Sequence, residues 1–397
     1  MTTLKDSEPV AYPFDDPAGL DVDDAYAVAR AAGMIRVRLP YGEPVWLVTR
    51  YADARLVLSD PRFSRAMATE RDGPRLTEAR EEPGQMFTLD PPEHTRLRTL
   101  VAKAFTMHRV ARLRPRVREL AEGLADELVA AGAPADLVEH YTRPIPGSVI
   151  CEMLGVPASD RPQFQVWSDT MMAGTRVTLD EVLTAREELR DYLHGMIEIR
   201  RAEPADDLMT ALIEARDEHG RLSERELIDL CLMLLMSGLE TTETQLSSIV
   251  YTLLTEPHRW ARLRDDPELV PSAIEELLRF LPLGTAGSFV RYATEDVAVG
   301  DTLVRAGEPV LVALAAANRD AARFDAPDEV RLARRDNSHL GFGHGAHHCL
   351  GAQLARVELQ ESLWVLLARL PGLHLAGEVE WKTGMLIRGP RVLPVGW

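Results

Sequence analysis

Residues 342–351 read Phe342-Gly343-His344-Gly345-Ala346-His347-His348-Cys349-Leu350-Gly351. One cysteine stands in a glycine-punctuated loop, directly before residues 352–368, which have a strong helical pattern. Glycines let a backbone lie close to a large flat ligand, and a helix N-terminus favours the thiolate form of cysteine. The stretch therefore predicts a metal-bound thiolate, and iron in haem is the ligand that best uses one thiolate. The alternative is a buried structural cysteine.

A long apolar helix is predicted between Ser223 and Pro257. Ser223 and Glu226 form a capping-box pattern, and the following residues are apolar nearly all round, as in a helix at the centre of a protein. Within it stands Ser237-Gly238-Leu239-Glu240-Thr241-Thr242. Because a glycine costs about 1 kcal/mol relative to alanine in a helix, something other than helix stability must explain Gly238.

Two further stretches place charges at helical spacing. Glu276-Leu277-Leu278-Arg279 puts a carboxylate and a guanidinium on one helical face, where they can pair. Asp90-Pro91-Pro92-Glu93-His94-Thr95-Arg96-Leu97-Arg98 predicts a helix that starts at a proline and carries His94 and Arg98 on one face. Such cations suit the carboxylates of a bound ligand.

Together these stretches resemble the cytochrome P450 family. They match its F-G-x-G-x-[HR]-x-C-x-G, E-x-x-R and D-P-P-x-H-x-x-x-R patterns, and its [AG]-G-x-[DE]-T-T pattern except for Ser237. The resemblance implies a mainly α fold with a minor β region, a helix-rich prism that encloses haem b. We expect residues 1–397 to form this single domain, with residues 1–20 as an extended N-terminal segment. Alternation predicts strands at 45–48 and within 297–312.

The resemblance also implies roles for motif residues. Cys349 would be the axial ligand of the haem iron, Thr241 would donate a hydrogen bond to iron-bound oxygen, Glu240 would help to relay protons, and Gly238 would leave room for dioxygen. The alternatives are a solvent-facing carboxylate at Glu240 and a Thr241 hydroxyl bonded to the carbonyl one turn earlier. Further haem-binding residues implied are His94, Arg98, Arg291, His347, Phe342, Gly343 and Gly351.

The pair Glu276 and Arg279 would be structural in this family. The arginine that usually completes this network is not evident in residues 327–330, so its third partner stays unassigned. Ser237 adds a hydroxyl that could bind either a water molecule or a polar group of the substrate.

Position along the chain gives candidates for a substrate pocket, although methionines and aromatic residues in such places are often plain core. Methionines adapt to large or awkward ligands, and some of the candidates can form hydrogen bonds. The set suggests a specialised metabolite of moderate size. The candidates are Gln85, Met86, Phe87, Thr88, Trp167, Met171, Met172, Met233, Met236, Ser237, Ala286, Gly287, Ser288, Phe289, Met385 and Leu386.

Composition limits the class of protein. The formal net charge of −17 argues against a nucleic-acid binder. The three cysteines are too few and too widely spaced to suggest a disulfide framework, which fits a reducing cytoplasm. The longest apolar run, 231–236, is far shorter than the ~20 residues of a membrane span. We therefore expect a soluble, cytoplasmic, monomeric enzyme of the bacterial type.

The resemblance implies electrons from NAD(P)H through a ferredoxin and a ferredoxin reductase, because the sequence contains no flavin fingerprint or iron-sulfur cysteine cluster. Arg96, Arg323, Arg356 and His348 are candidate contacts for the ferredoxin. A hydroxylating or epoxidising monooxygenase is predicted. The alternatives are desaturation, oxidative C–C or C–N coupling of aromatic substrates such as tryptophan-derived diketopiperazines, and a haem-based ligand sensor without catalysis.

Overall fold

The computed structural model describes residues 8–15, 18–217 and 221–397. The described chain is mainly helical, as predicted, and several of its longest helices start at a capping hydroxyl, from Thr106, Thr178 or Ser223. The α-helices are α1 (Ala25–Ala32), α2 (Tyr51–Ser59), α3 (Met67–Glu70), α4 (Glu93–Ala102), α5 (Met107–Ala131), α6 (Pro144–Leu154), α7 (Arg161–Met172), α8 (Leu179–Ala202), α9 (Leu208–Asp217), α10 (Glu224–Leu254), α11 (Pro257–Asp265), α12 (Val270–Phe280), α13 (Leu314–Ala317) and α14 (Ala352–Arg369).

The β region is minor and consists of short strands. They are β1 (Val10–Ala11), β2 (Ile35–Arg38), β3 (Val45–Val48), β4 (Phe63–Ser64), β5 (Ala135–Asp136), β6 (Arg291–Ala293), β7 (Val297–Val299), β8 (Thr302–Val304), β9 (Pro309–Val312), β10 (His374–Leu375), β11 (Glu380–Trp381), β12 (Pro390–Val392) and β13 (Pro394–Gly396). The main sheet has the order β1-β2-β3-β9-β6-β4, in which β1 and β2, and β3 and β9, run parallel. The strands expected at 45–48 and within 297–312 are confirmed.

Helix α10 lies at the centre of the fold, where it packs against α6, α8 and α14. It begins with the predicted capping box, in which Ser223 accepts from the Glu226 amide and Glu226 accepts from the Ser223 amide. Between Asp229 and Val250, all its residues are buried except Ser237, Gly238 and Thr241. The exposed positions therefore mark an opening halfway along a buried helix.

A hairpin near the C-terminus packs against the same helix. Strands β11 and β12 pair antiparallel and form the C-terminal hairpin, residues 380–392. A Cβ placed on Gly389 would lie 2.5 Å from Thr244 Cγ2 in α10, so only glycine permits this approach. The hairpin loop also reaches α7, since the Leu386 amide donates to the Met172 carbonyl at 3.1 Å.

The N-terminal segment expected over residues 1–20 lies partly outside the described residues, and within it Val10–Ala11 pair with β2. No helix in the described ranges is both long and apolar enough to cross a membrane.

Candidate active site

The loop that carries Cys349 is fixed by its own backbone and by α2. The Cys349 amide donates to the Phe342 carbonyl at 2.9 Å, and Gly343 and Gly345 have φ values of 73°. A Cβ on Gly345 would lie 2.4 Å from the Leu58 carbonyl oxygen at the end of α2. Gly345 is therefore required for close approach to α2, while Gly343 is required for a left-handed turn.

Cys349 is exposed at the loop, and α14 starts three residues later with Gly351 as its N-cap. Although part of the residue is exposed, desolvation by the surrounding protein atoms raises the pKa of the Cys349 thiol, whereas the Gly351 amide and the charges of Arg98 and Arg356 oppose that shift. The groups that oppose it are those that stabilise a thiolate. The helix-start setting predicted for this cysteine is confirmed.

Cationic side chains gather beside the loop. The rings of His94 and His347 lie 4.2 Å apart between centroids, and Arg98 donates to the His348 carbonyl at 2.6 Å. Burial, followed by the neighbouring cations, lowers the pKa of His347 to about 3. Burial and the charge of Arg65 lower the pKa of Arg291 to about 9.

Arg65 was not identified from the sequence. It follows strand β4, its side chain is almost fully buried, and one of its nitrogens bonds to Glu81 at 2.7 Å. Its guanidinium carbon lies 4.9 Å from the centre of the Phe289 ring. No helical spacing or motif marks an isolated arginine after a two-residue strand, so sequence patterns could not find it.

The residues present fit a haem group. His94 Nδ1 is buried and has no hydrogen-bond partner among the described residues, and burial, with neighbouring cations as a second cause, lowers the pKa values of His347 and Arg291. A ligand with carboxylates would neutralise these cations and satisfy the imidazole. Haem offers two propionates for this cluster and an iron atom for Cys349.

The opening in α10 shows two hydroxyls in similar arrangements. Thr241 Oγ1 donates to the Ser237 carbonyl at 2.6 Å, and Ser237 Oγ donates to the Met233 carbonyl. The bond to the carbonyl one turn earlier, the alternative weighed for Thr241, is therefore present. Each hydroxyl oxygen keeps acceptor capacity, so a role for Thr241 towards oxygen stays a prediction.

Gly238 has a packing role between two helices. A Cβ at this position would lie 3.2 Å from Ile150 Cγ1 in α6. The missing side chain lets α10 pack closely on α6, and the role expected for Gly238 towards dioxygen stays a prediction.

Glu240 is fully buried and is not the solvent-facing carboxylate of the alternative interpretation. Its Oε1 accepts from Lys382 Nζ in the C-terminal hairpin, whereas Oε2 has no partner among the described residues. Burial and the nearby Glu243 raise the pKa of Glu240 to about 7, and Lys382 opposes the shift. Lys382 was missed, although it is one of only three lysines in an arginine-rich chain.

The predicted pair Glu276 and Arg279 is present and fully buried, with Arg279 donating twice to Glu276 at 2.8 Å. The unassigned third partner is Arg334, whose Nε lies 2.8 Å from Glu276 Oε2. Arg334 lies four residues beyond the stretch in which it was sought. Arg279 also donates to the carbonyls of Asn318 and Pro327, so the pair joins α12 to the chain before Cys349.

Several pocket candidates come together. The rings of Phe87 and Phe289 stack at 5.6 Å with an interplanar angle of 3°, and Phe289 is 55% exposed. Met172 and Leu386 are joined by their backbones, and Met171, Ala286, Gly287, Ser288 and Met385 are half-buried. Ser288 Oγ donates to the Phe289 carbonyl and accepts from the Val312 amide.

Other candidates do not face an open space. Trp167 is buried, donates to Glu188 at 2.8 Å and packs edge-on against Phe164, so it belongs to the core between α7 and α8. The Thr88 hydroxyl donates to backbone carbonyls of its own loop, including that of Gln85. The remaining candidates are also buried, so their place in a pocket is not supported: Gln85, Met86, Met233 and Met236.

The loop and the α10 opening belong to one region, because α14, which follows Cys349, packs against α10, and Thr242 bonds to Glu358. A lone cysteine at a helix start, beside a cationic cluster and an opened central helix, is the arrangement expected of a haem-thiolate oxidoreductase. The profile of the family described as Cytochrome P450 matches residues 32–371. The chain belongs to the cytochrome P450 family.

Similar proteins agree over the whole length. The chain is 52% identical over 392 residues to "Nocardicin C N-oxygenase" of Nocardia uniformis subsp. tsuyamanensis, covering 98% of each. It is 50% identical over 398 residues to "Mycinamicin IV hydroxylase/epoxidase" of Micromonospora griseorubida, covering 99% of this chain and 100% of that protein. The structure titled "Crystal structure of HinD with NMFT and NO" superposes with a TM-score of 0.95 at 49% identity, covering 98% and 100%.

These matches confirm the predicted fold, the haem b cofactor and a monooxygenase of specialised metabolism that receives electrons from NAD(P)H through separate redox partners.

Proposed function

We propose that this monooxygenase inserts oxygen into a moderately large specialised metabolite held between the α10 opening, the Phe87–Phe289 stack and the loop of the C-terminal hairpin. The observation that carries the proposal is the opening itself. Between Asp229 and Val250, Ser237 and Thr241 are the polar side chains of α10 that are not buried, and each hydroxyl donates to a backbone carbonyl while its oxygen keeps acceptor capacity.

In this proposal Cys349 ligates the haem iron, and His94, Arg98, Arg291, His347 and Arg65 hold the propionates. Phe342, Gly343 and Gly351 shape the loop. Haem with a thiolate ligand supplies the oxidising chemistry, since the thiolate favours O–O cleavage. Burial raises the pKa of Glu240 to about 7, so this carboxyl can hold a proton near neutral pH, and the next residue, Thr241, lies at the α10 opening and is assigned the role of passing protons towards the haem.

Substrate selection would rest on apolar contact more than on charge. Phe87 and Phe289 offer a flat aromatic surface, and we assign Met172 of α7 and Leu386 of the hairpin, which are joined by a backbone hydrogen bond, as further apolar contacts. Relatives named for mycinamicin IV and nocardicin C make these two compounds suitable first probes. We expect a substrate of that size class, with hydroxylation or epoxidation as the outcome.

The test is mass spectrometry of products from the haem-loaded enzyme with NADPH, a surrogate ferredoxin and its reductase, and ¹⁸O₂. Mycinamicin IV, nocardicin C and a tryptophan-derived diketopiperazine serve as probes, and Thr241→Ala is the matched variant. Label in a product supports the proposal, with loss of product per NADPH in Thr241→Ala. An unlabelled dimer or a loss of two hydrogens would replace it by oxidative coupling or desaturation. No NADPH oxidation above that without probe would favour the ligand sensor.

The redox partner is proposed to be a ferredoxin that docks beside the Cys349 loop on a monomeric enzyme. Three arginines suggested from the sequence are already paired with carboxylates: Arg96 with Glu226, Arg323 with Asp336 and Arg356 with Glu275. Arg55 of α2 is a better candidate. It is exposed, bonds to His344 of the loop at 3.4 Å, and has no carboxylate partner among the described residues.

Reversing the charge of Arg55 tests this contact. Arg55→Glu should slow reduction of the haem by a surrogate ferredoxin about tenfold at low salt, with a smaller effect at high salt because surface charges are screened. Stopped-flow absorbance measures the rate, and Arg391→Glu, an exposed change in β12, is the matched control. Equal rates for the two variants would remove Arg55 from the docking surface. Gel filtration checks the monomer.

A further inference from the structure

Lys382 is buried beside the centre of α10. Its Nζ donates to Glu240, to Glu243 at 2.9 Å and to the Thr244 hydroxyl at 2.7 Å, so all three of its protons are used. Its side chain is 1% exposed. Because an ammonium is costly to bury unless it is paired and fully hydrogen-bonded, this arrangement holds Lys382 in one position.

The charges around Glu240 do not balance. Glu240 and Glu243 lie on α10, Asp169 on α7, Arg143 at the start of α6 and Lys382 on the C-terminal hairpin. Three carboxylates thus face two cations. Glu240 and Glu243 share the single ammonium of Lys382, so one proton relieves the repulsion between these two carboxylates, and Glu240, with one oxygen unpaired among the described residues, is the one best placed to take it.

The cluster reaches the surface. Glu243 Oε2 lies 3.4 Å from Arg143 Nε, and Arg143 lies 4.0 Å from Asp169. The side chains of Arg143 and Asp169 are 30% and 42% exposed. A continuous series of charged contacts therefore runs from solvent at Asp169 of α7 to Glu240 in α10.

The position of Lys382 is fixed by backbone contacts as well. Its amide donates to the Gly389 carbonyl at 2.9 Å, and Gly389 has no room for a side chain against Thr244. The hairpin thus presses Lys382 onto one face of α10, formed by residues 240, 243 and 244.

We propose that Lys382 is a positioning residue for proton delivery: it holds Glu240 beside Glu243, in the series of charged contacts that connects α10 to solvent at Asp169. Lys382 stays protonated and holds the two carboxylates side by side, and the transferable proton resides on Glu240, whose Oε2 has no partner among the described residues. Arg143 stays protonated and orients the carboxylates on either side. This inference rests on the proposed role of Glu240.

The first test needs no substrate. Infrared spectroscopy of the haem-loaded, CO-bound enzyme follows the protonated-carboxyl band of Glu240 with pH, and Glu240→Gln identifies the band. Lys382→Met should raise the protonation midpoint by one pH unit or more, a tenfold change in proton concentration, because a stabilising cation is lost. Glu243→Gln should lower it, since a repelling charge is lost. Midpoints unchanged in both variants would overturn the proposal.

The second test measures proton delivery in turnover of mycinamicin IV as probe. Lys382→Met should reduce product per NADPH about tenfold and increase the solvent isotope effect, while Lys382→Arg recovers part of the loss. Turnover driven by hydrogen peroxide, which brings its own protons, should stay within about twofold of the parent. Lys103→Met and Asp191→Asn, both exposed changes, should match the parent in every assay.

An equal loss with NADPH and with peroxide would mean a structural role and would overturn the proposal. Thermal unfolding of each holoenzyme shows whether Lys382→Met folds. If it does not, NADPH-driven and peroxide-driven turnover are compared instead in Glu243→Gln and Asp169→Asn, each of which removes one negative charge. A wrong substrate class leaves the infrared result readable, so the two failures are distinguishable.

Discussion

Two glutamates in this protein are equally buried and behave in opposite ways. Glu276 and Glu240 are both 0% exposed. Glu276 accepts hydrogen bonds from Arg279 and Arg334, which hold its pKa below the usual value despite burial. Within the described part of the chain Glu240 accepts from Lys382 alone, and burial with a neighbouring carboxylate raises its pKa to about 7.

The difference teaches that burial does not decide the charge of a carboxyl group. The number of donors and the balance of nearby charge decide it. A carboxylate between two guanidinium groups keeps its charge and fixes the chain around it. A carboxyl group in a cluster with surplus negative charge can hold a proton and release it.

The largest expected effect on stability comes from breaking the buried ion pairs of Glu276 with Arg279 and Arg334. Glu276→Gln leaves Arg279 without its buried counter-ion and should lower the free energy of unfolding by about 3–5 kcal/mol at pH 7. The folded-state pKa of Glu276 is lowered, so its contribution is present above the unfolded pKa and is lost as pH falls through the folded value. Urea unfolding of the holoenzyme between pH 7 and 4 measures both. A difference that does not shrink towards acid would contradict the assignment.

The second expected effect concerns Glu240, whose contribution to stability depends on pH in the opposite direction. The folded-state pKa of Glu240 is raised, so its contribution to stability is present below the unfolded pKa and is lost as pH rises through about 7. Glu240→Gln cannot ionise and so avoids this loss of stability. Between pH 5 and pH 8, the free energy of unfolding of the variant should therefore rise relative to that of the parent by about 1–3 kcal/mol, as measured by urea unfolding. A constant difference across this range would place the titration elsewhere.

A third buried glutamate gives the smallest effect and sharpens the comparison. Burial raises the pKa of Glu358 to about 8, and a hydrogen bond with Thr242 opposes the shift. Thr242→Val should cost about 0.5–1.5 kcal/mol at pH 7, as expected for one hydrogen bond to a neutral group. The cost should grow above pH 8, because the Thr242 hydroxyl stabilises the ionised Glu358 carboxylate in the parent and the variant lacks this hydrogen bond. Thr255→Val, at the end of α10, is a control for loss of a threonine hydroxyl, and an equal pH trend there would reject the pairing.

Local patterns predicted much of the fold and part of the site. The capping box of α10 and the Cys349 loop are fixed by residues within a few positions of each other, so periodicity and spacing could find them. The Glu276–Arg279 pair has a separation of three and was found for the same reason.

Long-range partners could not be predicted in this way. Lys382 meets Glu240 across 142 positions and Arg334 meets Glu276 across 58, and neither cation has a local pattern. The packing of Trp167 and Gly238 could not be predicted for a related reason. Each residue type suited the expected role, but the neighbour that decided its environment, Glu188 or Ile150, comes from a different helix.

The C-terminal hairpin, residues 380–392, contributes to both the proposed substrate contacts and the charged cluster around Glu240. Its loop places Met385 and Leu386 near α7, while its base holds Lys382 against α10. Natural or laboratory selection for a new substrate that altered the length of this loop would also displace the lysine. Selectivity and oxidative efficiency are therefore expected to evolve together here, and side-chain exchanges at Met385 and Leu386 are a safer route to altered selectivity than insertions.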